Sequence, residues 1–211
     1  MSDSQLSTPE PIPEAESATA PARKRPKPGE RRVQILQALA TMLEQPGAER
    51  ITTAALAARL EVSEAALYRH FASKAQMFEG LIEFIEQSVF TLINQITDRE
   101  PEGPAQAARI VGMLIQFAEK NPGMTRVMVG DALVFENDRL QQRMNQFFDK
   151  VEASLKQCLR SDGQADAPTV DAQVRASVLT AFIVGRLQRF ARSGFKRMPS
   201  EHLDASLARI L

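Results

Sequence analysis

Thr52, Thr53, Ser63, Tyr68, Arg69 and Lys74 crowd into one short stretch of this 211-residue chain, "ITTAALAARLEVSEAALYRHFASKAQMF", residues 51–78, with Glu64 and Ala65 among them. Hydroxyl, phenol, guanidinium and ammonium groups so gathered suit hydrogen bonds to the phosphates of a double-stranded DNA. Such contacts set register and supply affinity but carry no sequence code. Tyr68, Arg69, Lys74 and one of the two threonines are the phosphate candidates. Base reading has fewer candidates: Ser63 to Ala66, with Thr52 or Thr53, helped by the shape of the duplex. The small Ala65 and Ala66 permit close approach.

Rigid elements must hold these groups out from a body. Two short helices are predicted, at about 53–60 and 64–70, with Leu56, Ala57, Leu60, Val62, Leu67 and Phe71 facing inward. Two helices crossing steeply need a small residue where they meet, which Ala57 supplies, while Val62 plugs the turn. Ser63 is a good N-cap for the second helix, whose first turns could then enter a major groove about 12 Å wide. Glu61 is the awkward residue. That turn position favours glycine because its backbone tends to be left-handed, at a cost of roughly 1 kcal/mol to any other residue. Its carboxylate would also lie near the duplex. His70 is expected to pack against the first helix.

The formal net charge is zero, yet the charge is unevenly placed. Residues 1–22 carry Asp3, Glu10, Glu14 and Glu16 and no base; residues 23–79 carry ten Lys/Arg against six Asp/Glu; residues 80–211 are balanced. The excess of positive charge coincides with the stretch that would meet nucleic acid. Residues 1–28 hold six of the twelve prolines and few large apolar residues, so disorder is expected there. The closing "RKRPKPGERR" is either a solubilising tail or a basic arm for phosphates or a minor groove.

From Gly29 onward every pattern is helical, giving an all-α expectation with a DNA-binding unit at 29–79 and a larger helical domain at 80–211. The first helix, about 30–45, places Val33, Leu36, Leu39, Ala40 and Leu43 on one face and ends at "QPG". "SKAQ" at 73–76 is a capping box opening a long helix to about Arg99. Further helices are predicted at about 104–119, 122–131, 136–160, 169–193 and 201–211, with "SDGQADAP" as a loop. Leu140, Met144, Phe147, Phe148, Val151, Leu155 and Leu159 make the stripe of the seventh. The lone Cys158 falls in that helix, as a structural rather than a reactive residue, and fits a reducing cytoplasm. No apolar run could span a bilayer, and no secretory signal opens the chain.

At "ALYRHFASKAQMF" the sequence resembles the TetR family of bacterial DNA-binding proteins. That resemblance implies an all-helical dimer with its recognition helix near the N-terminus. A closer resemblance, to the nucleoid occlusion branch of that architecture, rests on "RITTAALAA", "VSEAALYRHFASKAQMF", "LIEFIEQS", "NPGMTR", "ALVFENDRLQQRMNQFF" and "FKRMP". It implies binding to chromosomal sites, a nucleoid-associated location, and antagonism of the tubulin-like division protein FtsZ. Glu61 departs from the family's turn glycine.

Three roles compete for residues 80–211. A homodimer would present two recognition helices to a near-palindromic site, about 34 Å or more apart. The helix at 169–193 carries a broad apolar band of Val170, Val174, Val178, Phe182, Ile183, Leu187 and Phe190, read as a dimer seam or else as a buried central helix. The second role is a pocket for a small apolar ligand that releases the DNA. The third is a partner surface on the helix from Ser73, whose core stripe is Phe78, Leu81, Ile82, Ile85, Val89, Leu92 and Ile96. At about 100° per residue, Phe84 falls roughly 90° from that stripe's centre and Phe90 nearly opposite it. Phe84 could be edge packing or a partner's anchor, with Lys120 and Asn121 of the "EKNPG" corner beside it; from the resemblance, FtsZ's tail would dock there. Asn121 before Pro122 is expected to be extended. No cofactor, metal motif or catalytic constellation is evident, which argues against an enzyme.

Overall fold

The computed structural model describes residues 29–45, 51–160 and 168–211. The acidic leader, its basic end, most of the "QPG" stop and the 161–167 loop lie outside the described residues. Within them the expected helices are all present: α1 (Glu30–Leu43), α2 (Thr53–Arg59), α3 (Glu64–Tyr68), α4 (Lys74–Arg99), α5 (Gly103–Lys120), α6 (Pro122–Met128), α7 (Asp138–Arg160), α8 (Pro168–Arg192) and α9 (Leu203–Leu207). A 3-10 turn at Asp131–Leu133 follows α6. None of the described helices is long and apolar enough to cross a membrane.

α1 packs on α2, α4 and α6, and its buried face comprises Ile35, Leu39, Ala40 and Leu43. Val33, expected inside, is 53% exposed. Three neighbours widen the buried arc toward Ile35, which leaves Val33 outside it.

α4 is the strut that joins the N-terminal helices to the rest, touching α1, α5, α6 and α7. Ser73 caps it, its hydroxyl oxygen accepting from the Gln76 amide. The reciprocal bond differs from the expected box: Gln76 Oε1 accepts from the Ala72 amide at 2.8 Å rather than from Ser73. Its core runs from Met77 and Phe78 through Leu81, Ile82, Ile85 and Val89 to Ile93. Leu92 is 37% exposed, because the stripe steps by four from Val89 to Ile93. Phe90, expected nearly opposite the core stripe, is half-buried. It meets Phe147 of α7 edge-on with ring centroids 5.6 Å apart, so α4 is buried on two sides.

The α5–α6 corner is held by hydrogen bonds. Asn121 has φ −133° and ψ 64°, short of the extended conformation expected before proline. Its side-chain amide donates to the Phe117 carbonyl at 2.8 Å, and its own carbonyl accepts from the Thr125 amide at 2.9 Å. The buried Thr125 hydroxyl donates to the Ala118 carbonyl at 2.8 Å. Immediately after the corner, Gly123 lies against the backbone of α1. A Cβ there would sit 1.9 Å from the Ala40 oxygen.

α7 and α8 form the most extensive helix pair. α7 buries Leu140, Met144, Phe147, Val151, Leu155, Cys158 and Leu159, with Phe148 half-buried. Burial pushes the Cys158 thiol's pKa up, in keeping with a packing role. α8 divides its apolar band. Ala172, Ala176, Leu179, Ile183, Leu187 and Phe190 enter the core, whereas Val170, Val174 and Val178 stay exposed. Arg175 of α8 ties down the end of the chain by donating to the Leu211 carbonyl at 2.7 Å.

Two substitutions test this packing. Gly123→Ala is expected to lower the unfolding free energy by at least about 2 kcal/mol, since only backbone movement relieves the overlap. Glu61 sits at φ 54°, in the left-handed region. Glu61→Gly should therefore raise stability by about 0.5–1 kcal/mol, after the entropy of the freer unfolded chain is subtracted. Denaturant titration of each variant reads both effects.

Candidate nucleic-acid interface and partner face

Two side-chain caps build the helix-turn-helix. Thr52 caps α2 by accepting from the Ala55 amide at 3.1 Å, and Ser63 caps α3 by accepting from the Ala66 amide at 3.3 Å. Both hydroxyls use an oxygen lone pair for the cap, so their hydrogens stay available for an outside acceptor. Between the helices, the Val62 amide donates to the Ala57 carbonyl at 3.0 Å, closing the turn through Glu61. Leu56, Ala57, Leu67 and Phe71 are buried, and Leu60 and Val62 are half-buried, as their pattern requires.

α3 is anchored from α1. Arg32 donates to the His70 carbonyl at 2.9 Å, and its guanidinium carbon lies 4.1 Å from the centroid of the Phe71 ring. The His70 side chain is itself exposed, contrary to expectation; its backbone, not its imidazole, makes the contact with α1.

The outward face of α3 brings together most of the expected residues. Ser63, Glu64, Ala65, Tyr68 and Arg69 are all exposed, as is Thr52. Thr53 is half-buried because it bridges the two helices: its hydroxyl donates to Glu64 Oε2 at 2.6 Å. The Tyr68 phenol in turn donates to Thr53 Oγ1 at 3.5 Å. Thr53 is thus an internal link, and Thr52 is the threonine better placed to reach a phosphate.

Lys74 is not a free cation. Its ammonium pairs with Glu136 at 2.5 Å, across from the segment that precedes α7, and the Glu136 side chain is only 8% exposed. A carboxylate so desolvated is costly without its partner. The two residues are far apart in sequence, and no local pattern marks the pair. The same seam continues as Glu79–Arg139 at 2.5 Å and as a two-bond Glu86–Arg143 pair at 2.5 and 3.2 Å. The bond to Glu86 holds the Arg143 guanidinium still more firmly protonated.

On the opposite side of α4, Phe84 is 47% exposed and Leu92 shares the accessible surface. Leu92 escaped the sequence reading because it fits the helical core pattern almost as well as Ile93. Lys120 is exposed at the end of α5, while Asn121 is half-buried with its amide already bound to Phe117. On α8, Val174 and Val178 form an exposed ridge with Val170, and Phe182 is half-buried beneath the Arg186 guanidinium at 4.8 Å. Leu187 is 0% exposed, so the chain's own core claims it and it takes no part in that ridge. A cleft of about 520 Å³ opens beside the ridge, lined by Ala181, Phe182, Gly185, Arg189, Arg197 and His202 among others. A second, of about 500 Å³, is lined largely by amides and hydroxyls, including Asn94, Thr97, Gln106, Ser154 and Gln157, with Cys158.

Family models match both parts of the chain: bacterial regulatory proteins of the tetR family at residues 35–81, and a tetracyclin repressor-like C-terminal domain of SlmA-like type at residues 105–209. The TetR transcriptional regulator from Legionella pneumophila superposes with a TM-score of 0.69 at 13% identity, covering 87% of this chain and 97% of that one. A transcriptional regulator from Rhodococcus sp. Rha1 does so at 0.68 and 19%, covering 85% and 95%. These likenesses carry the fold. Much closer in sequence are two proteins named nucleoid occlusion factor SlmA. That of Idiomarina loihiensis is 52% identical over 83% of this chain and 90% of its own length. That of Vibrio cholerae serotype O1 is 51% identical over 82% and 90%. Identity of that degree, running through the helical body as well as the helix-turn-helix, shows that the chain belongs to the SlmA family of nucleoid occlusion factors, built on the TetR architecture.

Proposed function

We propose that this chain, as a homodimer, binds near-palindromic chromosomal sites through α2 and α3 and, so bound, antagonises FtsZ assembly and keeps division away from the nucleoid. One observation carries the reading: the likeness to nucleoid occlusion factors extends across the helical body, where an apolar side chain, Phe84, stands exposed on α4. Arg69, Tyr68 and Thr52 are the phosphate contacts, together with Lys74 once a phosphate shares it with Glu136, and Ser63 to Ala66 face the bases. The exposed Val170–Val174–Val178 ridge supplies the dimer seam, and Phe84, Leu92 and Lys120 receive a segment of FtsZ. Asn121 shapes that surface by holding the corner. A repressor released by an apolar ligand would need a cavity lined mainly by apolar side chains. The amide- and hydroxyl-rich cleft beside Cys158 is a poor match for that.

The test is FtsZ assembly followed by light scattering, with the full chain and a duplex selected from its own genome. Assembly should fall when both are present; assembly indifferent to the chain at every duplex concentration would overturn the reading. Tyr68→Ala and Arg69→Ala should each weaken binding to all duplexes several-fold. Loss of the Arg69 cation should also reduce the slope of log affinity against log salt by about one, whereas loss of the neutral Tyr68 phenol should leave that slope unchanged. Phe84→Asp should leave duplex affinity within about twofold and abolish the effect on FtsZ, because a charge replaces an apolar anchor.

A further inference from the structure

Glu64 is the one acid on the outward face of α3 itself, whose other polar side chains offer donors to phosphates. A carboxylate facing a duplex is repelled by it unless a base supplies a donor. Glu64 is the first residue of α3, exposed and directly after the Ser63 cap, where recognition-helix side chains reach base edges. Its orientation is set from both helices. The Tyr68 phenol donates to Thr53 Oγ1, and the Thr53 hydroxyl donates to Glu64 Oε2. Both protons of this relay point toward the carboxylate, and the bond it receives falls on Oε2, which leaves Oε1 as a second acceptor for a base. Neighbouring Ala65 adds no competing donor.

Four base edges face the major groove, and they treat such an oxygen differently. Guanine offers two acceptors and thymine an acceptor and a methyl group, so both reject it. Adenine offers an amine, but its N7 acceptor lies beside it. Cytosine's amine has an acceptor on one side only, O6 of the paired guanine, whereas adenine's lies between two, its own N7 and thymine O4. We propose that Glu64 determines specificity by accepting from a cytosine amine in each half-site, with Thr53 and Tyr68 as positioning residues. This rests on the DNA-binding reading and adds to it which base is read and by what.

The experiment is selection from a randomised duplex library by the full-length chain, followed by sequencing, for wild type, Glu64→Ala, Glu64→Gln and Thr53→Val. Wild type should favour cytosine over thymine by about tenfold or more at one symmetric pair of positions. Glu64→Ala should reduce that preference below about twofold at that pair and leave the other positions intact. Glu64→Gln should move it toward adenine, which pairs with a side-chain amide through N6 and N7. Thr53→Val should weaken it at the same pair with no loss of thermal stability in the DNA-free chain. A sharp wild-type profile unchanged by Glu64→Ala overturns the assignment alone. Uniformly tighter binding of Glu64→Ala to every duplex also overturns it, since Glu64 would then act only by repulsion. A wild-type chain that enriches no sequence overturns the DNA-binding reading and this assignment with it.

Discussion

Five residues make up α3, Glu64–Tyr68, and a helix that short has no stability of its own in water. Its direction therefore comes entirely from what lies beneath it. Leu67 and Phe71 are buried, Ser63 caps the start, and Arg32 of α1 both stacks on Phe71 and binds the His70 carbonyl. The outward surface of α3, from Ser63 to Arg69, is placed by this inward anchoring. An arginine in a positively charged region is usually read as a phosphate ligand. Here Arg32, itself exposed, lays its guanidinium on Phe71 and the His70 carbonyl and so braces the residues that face outward.

α4 then carries that surface to the rest of the chain. Its N-terminal turn holds Lys74, and its first half faces α7 through the ion pairs of Glu79 and Glu86. The partly exposed pairs in this seam contribute little each, a few tenths to about 1 kcal/mol. Lys74–Glu136 differs, because Glu136 is almost fully desolvated and would be left as an unpaired buried charge. The same ammonium that the phosphate reading needs thus also ties α4 to the entrance of α7. An ammonium has three donors and can serve two acceptors, so the roles are compatible.

Two apolar surfaces remain outside the core: the valine ridge of α8 and the Phe84 region of α4. They differ in form. The ridge repeats one residue type every four positions along a long helix and borders a cleft, which suits a second helix laid against it. Phe84 instead offers a single exposed aromatic side chain, of the kind that anchors a short segment. The fold thus keeps its self-association candidate and its partner candidate on different helices.

The sequence by itself determined the helical class, the order and approximate limits of the elements, and the inward residues of the helix-turn-helix. Each rests on local periodicity, a cap or a proline, and such signals act within a few residues. The left-handed turn at Glu61 was legible for the same reason. Which neighbour covers which side of a helix was not. Val33 and Ile35, Leu92 and Ile93, and the two halves of the α8 band all satisfy a helical apolar pattern. Only the packing of α2, α4 and α6 on α1, of α5 and α7 on α4, and of α7 along α8 chose between them. Lys74–Glu136, Arg32–Phe71 and the Tyr68–Thr53–Glu64 relay likewise join residues on different elements. Their partners are brought together by packing, and no spacing along the chain encodes them.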